Sequence, residues 1–157
     1  MKPADIPTIK MTYAQLGNFG VAQTLQKIAS TPTSNKNACH IHRITKEVQK
    51  AREMIVKEFQ TEIVEKFGKR DAGGKIIRPA DQPKGYEPIE GKEAEMDEAF
   101  KAFDAKTITF NCRPLTPSVL ADIKISAQEI DALGELFTET EGPGIPTDIA
   151  TKLGVVN

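Results

Sequence analysis

Residues 34–68 constrain this chain more than any other stretch, because they read as one long amphipathic helix. Ile41, Ile44, Val48, Ala51 and Ile55 follow at intervals of three and four residues, the spacing of a helix packed against a partner helix. Phe59, Ile63 and Phe67 then continue in steps of four. At about 100° per residue the set stays within roughly 160° of arc. That arc is wider than a two-stranded seam, so burial against more than one element is expected. The drift in the second half argues against a long, regular left-handed supercoil. On the opposite side Glu53/Lys57, Glu62/Lys66 and Glu65/Lys69 place Glu four residues before Lys, each pair adding about 0.2–0.5 kcal/mol. Thr33, Ser34 or Asn35 caps the start, and Gly68 is expected in the left-handed conformation after the last turn. Such a helix is about 50 Å long, longer than a small domain is wide, so its apolar stripe calls for cover.

The flanking segments supply some of that cover. Residues 1–11 hold two prolines and little periodicity, which predicts an extended arm. Thr12 and Gln15 form a capping box opening a helix at 13–29, with Leu16, Phe19, Leu25 and Ile28 on its apolar side. Gly17 and Gly20 weaken that helix by about 1 kcal/mol each relative to Ala, and suggest either a close helix approach or a local break. Ser30–Thr33 is short enough to fold this helix back antiparallel on the long one.

After Gly68 the pattern changes. Asp71-Ala72-Gly73-Gly74 marks a turn, Lys75–Arg78 a short strand, and Pro79, Pro83, Gly85, Pro88 and Gly91 a long loop, of the kind that is often functional or interfacial. Glu93–Asp104 reads as a helix with Met96, Phe100 and Phe103 on one side and acidic residues at its positive end. In 106–113, Ile108, Phe110 and Cys112 alternate with polar residues, which predicts a half-buried strand. A second strand is expected at 122–125. A Ser126/Glu129 capping box then opens a helix at 127–138. The fold class expected is α+β and predominantly helical: an antiparallel helical hairpin with a long central helix, a small antiparallel β element and a short C-terminal helix. The expected organisation is an N-terminal arm (1–11), one domain (12–138, with a loop at 71–91) and a tail (139–157).

Several chemistries find no support in the residues. The net charge of −1 lacks the footprint of a nucleic-acid binder, and the bases of the long helix (Arg43, Lys46, Lys50, Arg52) are offset by Glu47 and Glu53. No apolar run approaches the length of a membrane span, and Met1–Pro7 lacks the apolar core of a secretion signal. Cys39 and Cys112 are the only cysteines; they allow one disulfide, but two thiols are the expectation for a chain made in a reducing cytosol. Cys39-His40-Ile41-His42 offers two or three zinc ligands, but a structural site takes four, and no third His exists. Gly17-Asn18-Phe19-Gly20 lacks the Lys-Ser/Thr of a phosphate loop. No nucleophile elbow or dinucleotide fingerprint occurs. No cofactor is therefore expected. Tyr86 and Ile89 in the loop, with Phe59 and Ile63 on the long helix, are the candidate contact residues.

The order of features resembles a group of small bacteriophage proteins. A short Leu-containing helix and a Pro-containing turn lead to Lys36 and a long charged helix. That helix ends Glu65-Lys66-Phe67-Gly68-Lys69-Arg70-Asp71-Ala72-Gly73-Gly74, a Lys-aromatic-Gly signature followed by an Asp/Gly turn. An acidic helix, a strand pair and a Ser-led helix (Ser126-Ala127-Gln128-Glu129 with Leu133) follow. The resemblance covers about residues 12–138; the Pro-rich stretch 79–91 and the tail depart from it. It implies phage origin, a role in or beside the virion, and no catalytic residues to carry over. The function expected is a non-catalytic virion structural or assembly protein, made in the host cytoplasm, whose partners are further copies of itself or other virion proteins. The alternatives are a soluble binder that inhibits a bacterial defence or regulatory protein, and a small enzyme with an unrecognised site.

Overall fold

A computed structural model describes residues 8–141; the expectations for 1–7 and for the tail beyond 141 lie outside the described residues. In chain order the elements are β1 (Ile9–Thr12), α1 (Tyr13–Gly17), α2 (Phe19–Ser30), α3 (Asn35–Phe59), a π turn (Gln60–Val64), α4 (Glu65–Phe67), α5 (Glu93–Asp104), β2 (Thr107–Phe110), α6 (Ala127–Leu133) and a 3-10 turn (Gly134–Leu136). The fold is α+β and predominantly helical, with β1 and β2 paired in a two-stranded antiparallel sheet.

α3, the π turn and α4 make the long central helix, running 35–67. Ser34 accepts the Asn37 amide at its start, and Ile41, Ile44, Val48, Ala51 and Ile55 are all buried. The steps of four from Ile55 to Phe67 explain the π turn. In an α-helix each such step drifts by about 40°, which would carry the later apolar residues off the core. The π turn takes up one additional residue, the Glu65 amide donating to the Gln60 carbonyl five residues back, and Ile63, Val64 and Phe67 all reach the core.

Gly68 departs from its expected conformation. Its φ of −75° and ψ of 133° are extended, not left-handed. The reason for glycine there is space. A Cβ would stand 2.5 Å from the Val64 carbonyl oxygen and 2.9 Å from Ile76 Cδ1.

The chain divides into two compact units. Unit 1 holds Asn18–Glu47, the residues from Thr109 onward and those up to Met11; unit 2 holds Thr12–Gly17 and Val48–Ile108. In unit 1, α2 buries Val21, Thr24, Leu25 and Ile28 and joins α3 through Thr31–Ser34. Gly20 permits the close approach of α6, since a Cβ on it would lie 3.3 Å from Ala132 Cβ. The Ser126/Glu129 capping box forms in full, and Lys27 reaches the Glu129 carboxylate at 2.8 Å. A parallel bridge joins Leu115 to Phe137.

The secondary structure departs from the sequence expectations in several further places. The partner of β2 is β1, so Ile9 and Met11 of the expected arm are buried strand residues. Residues 122–125 form no strand: a turn ends at Asp122 and the chain runs on irregularly, with Ile123 buried. The helix expected at 13–29 breaks at Asn18, whose side chain accepts the Gly20 amide and caps α2 afresh. That break resets the helical phase, leaving Phe19 outside the core at 69% exposure. The last helix stops at Leu133 and tightens into a 3-10 turn where Gly134 takes φ 53°. The strand expected over 106–113 is confined to Thr107–Phe110, although the alternation continues past it, with Phe110 and Cys112 buried and Thr109, Asn111 and Arg113 exposed.

Candidate functional site

The π turn of unit 2 is where aromatic and charged side chains converge. Phe59, the last residue before it, contacts three other rings. Phe100 lies stacked at 5.8 Å, Phe103 edge-on at 5.6 Å and Tyr86 tilted at 6.3 Å. These distances fall within the attractive range for aromatic pairs. Tyr13 extends the cluster, edge-on to Phe103 at 5.2 Å. Helical spacing on α5 brings Met96, Phe100 and Phe103 to the same side, and the Tyr86 hydroxyl donates to Met96 Sδ at 3.7 Å. Burial raises the Tyr86 phenol above its ordinary value. Phe103 and Tyr13 are buried, whereas Phe59, Tyr86 and Phe100 keep part of their surface in solvent.

Loop 79–91 is tied down by its backbone. The Lys69 amide donates to the Glu87 carbonyl (2.7 Å), Glu87 to Ile77 (3.2 Å) and Ile89 to Phe67 (2.8 Å), around bridges Gly68↔Pro88 and Arg70↔Ile76. The strand expected at Lys75–Arg78 is thus reduced to one bridge at Ile76. Gln60 of the π turn holds the loop from the side: its amide donates to the Lys84 carbonyl, and its carbonyl oxygen accepts from Arg78.

The polar half of the cluster is a network of four residues. The Tyr13 hydroxyl donates to Glu58 at 2.8 Å. Lys106 donates to Glu62 and lies 3.7 Å from Glu58, its ammonium over the rings of Tyr13 and Phe103 at 5.8 and 5.4 Å. Burial first, then the hydrogen bond to Glu58 and the Glu58 and Glu62 charges, push the Tyr13 phenol up to about 12. The Lys106 ammonium is raised mainly by its bond to Glu62, with burial opposing. Both groups therefore keep their protons near neutral pH, where a useful general acid or base has its pKa near the working pH. This network ties α1, the π turn and the strand entrance together.

The four candidate contact residues do not share one fate. Phe59 and Tyr86 come together, and Ile89 lies half-buried beside the Gly68↔Pro88 bridge. Ile63 is 2% exposed and belongs to the core: the π turn rotates it inward, so its side chain is not available to a partner. Sequence reasoning does not place the part-exposed Phe100 beside Phe59, because it assigns it only to helix packing. It also misses the Tyr13–Glu58–Lys106–Glu62 network, whose members are too far apart in sequence to carry a local signal.

In unit 1 the Cys39-His40-Ile41-His42 stretch is helical. His40 Nε2 lies 2.9 Å from the Arg113 carbonyl, and because a carbonyl only accepts, this nitrogen carries the proton and is not free to bind a metal. Cys39 is exposed and Cys112 buried, both as free thiols. Burial is the main cause raising the Cys112 thiol. Among the described residues no group of three or more His, Cys, Asp or Glu is placed to hold a metal ion, and no helix is long and apolar enough to cross a membrane. No protein-family model, curated protein or solved structure matches the chain.

Proposed function

We propose that this chain is a non-catalytic structural or assembly protein of a bacteriophage particle, acting through protein–protein contacts. The phage attribution rests on the sequence resemblance. The observation that carries the mode of action is the half-exposed group Phe59, Tyr86 and Phe100 at the π turn. Aromatic side chains of this kind, with apolar area to bury and a polar tip on Tyr86, are enriched at protein interfaces. Their positions are fixed by packing and by the tied loop, so little conformational freedom would be lost on binding.

Co-sedimentation with purified particles tests this reading. The wild-type chain should pellet with particles, and Phe100→Ser should reduce its pelleting at least about tenfold while leaving its circular dichroism unchanged, the loss expected when an interface aromatic worth more than about 1.4 kcal/mol is removed. Equal pelleting of variant and wild type would remove the aromatic group from the account.

A further inference from the structure

One methionine sulfur is bonded into the aromatic group of unit 2. Of the four methionines, Met1 lies outside the described residues, and Met11 is in the core at 1% exposure. Met54 and Met96 keep part of their surface in solvent. Among the described residues the Met96 sulfur alone accepts a hydrogen bond, from the Tyr86 hydroxyl at 3.7 Å. Met96 also stands four residues before Phe100 on α5, which makes the two side chains neighbours on the helix surface. Tyr86 and Phe100 each lie against Phe59, with ring centroids 6.3 and 5.8 Å away. The thioether thus sits among the three half-exposed rings. It is a soft, polarizable group that contacts aromatic rings favourably, and it is also the group among them that a mild oxidant converts.

We propose that Met96 is a redox switch for this aromatic surface: oxidation of its sulfur by a peroxide turns protein binding off, and reduction restores it. This deepens the reading of the aromatic group as an interface and rests on it. In the oxidation a lone pair of Met96 Sδ attacks one oxygen of hydrogen peroxide. The O–O bond breaks, an S–O bond forms, and the transferred oxygen gives its proton to the departing hydroxide, which leaves as water. Sulfur loses two electrons and the peroxide gains them. The product side chain is polar where the thioether was apolar. A thioether is a weak acceptor, so a partner can cover it at little cost, whereas a sulfoxide oxygen holds water. The Tyr86 hydroxyl has one proton to donate and satisfies only part of that oxygen. A partner that covers Phe59, Tyr86 and Phe100 must then strip the remaining water from it, and an unsatisfied polar atom at a buried surface opposes binding. Reductases specific for the two sulfoxide epimers reverse the change.

Co-sedimentation of the full chain with purified particles, before and after hydrogen peroxide treatment, tests the proposal. The peroxide is removed before mixing, and peptide mass spectrometry confirms one added oxygen on Met96. Pelleting of the oxidised wild type at subsaturating concentration should fall at least about fivefold, with circular dichroism unchanged. Treatment with both methionine sulfoxide reductases should restore it. Met54→Leu should lose pelleting on oxidation as the wild type does. Met96→Leu, which presents Cys39 and Met54 to the same oxidant, should pellet equally before and after treatment. A Met96 that stays unoxidised while Met54 is converted, a loss that the reductases fail to restore, or a Met96→Leu chain as peroxide-sensitive as wild type would each overturn the proposal. If Met96→Leu does not pellet even untreated, the reductase result on the wild type decides. A wild type that pellets equally with Met96 reduced or oxidised would sink this inference alone. One that never pellets would remove the assembly reading and this inference with it.

Discussion

Replacing Gly68 with alanine sets two effects of opposite sign against each other, and the geometry decides between them. At φ −75° an alanine is unstrained, and the methyl group would narrow the unfolded ensemble, a gain of about 0.4–1 kcal/mol. Against this, the new Cβ would stand 2.5 Å from the Val64 carbonyl oxygen and 2.9 Å from Ile76 Cδ1. The first neighbour is backbone, and it already accepts the Gly68 amide at 2.8 Å, so relief requires moving the end of the long helix. Overpacking of this kind costs about 1–3 kcal/mol, which leaves a net loss of about 0–2.6 kcal/mol after the unfolded-state gain, toward the upper end because the nearest contact is with backbone. A mid-range loss of about 1.3 kcal/mol lowers the melting midpoint of a unit this size by about 5–10 °C. The control is Gly17→Ala in the same unit. Gly17 ends α1, and a Cβ added there would meet nothing within 4 Å, so only the gain remains, about 0.4–1 kcal/mol. Thermal melts followed by circular dichroism should move in opposite directions for the two variants. A Gly68→Ala chain as stable as wild type would refute the packing argument at the helix end.

Three further outcomes follow from the same structure. Deleting Thr61, exposed within the π turn, should leave a folded chain, because it removes the surplus residue and keeps Ile63 and Phe67 in phase; deleting Lys57 from regular helix should rotate the turn after it by about 100° and disrupt unit 2, as read by circular dichroism and proteolysis. Tyr13, with its phenol at about 12 against a reference of 10.0, holds its proton more tightly folded than unfolded; stability from this group is complete below pH 10 and falls between 10 and about 12, and Tyr13→Phe should remove that slope in pH-dependent denaturation. Ser126→Ala should cost unit 1 about 1 kcal/mol; Glu129, lowered chiefly by its bond to Lys27 and then by the Ser126 amide, adds stability that is present above its ordinary value and lost as pH falls through its folded value.

Features set by a few neighbouring residues were legible in the sequence. Both capping boxes form as read: Thr12 and Gln15 exchange bonds of 2.8 and 3.1 Å, as do Ser126 and Glu129 at 3.0 and 3.2 Å. The bounds of α5 and the alternation through 106–113 follow from periodicity alone. Pairing across the chain was not legible. A four-residue strand such as Ile9–Thr12 carries too little alternation to name its partner, so the stretch reads as an extended arm. Two signals were present but easily passed over. Asn18 is a favourable cap, and it marked the break between α1 and α2. The change to steps of four after Ile55 marked the π turn, which an α-helical wheel reads only as drift. For the candidate site, Phe59 and Tyr86 were legible as a helix aromatic and a loop aromatic. Phe100 was hidden because its spacing with Met96 and Phe103 gives it an ordinary packing role, and exposure cannot be read from spacing.

Quantitative mass spectrometry of intact, extensively washed particles and of their assembly intermediates tests the central claim most directly. The account predicts this chain at a fixed copy number per particle or per intermediate, unchanged by further washing. Its absence from every particle and intermediate, while abundant in the lysate that produced them, would contradict the account.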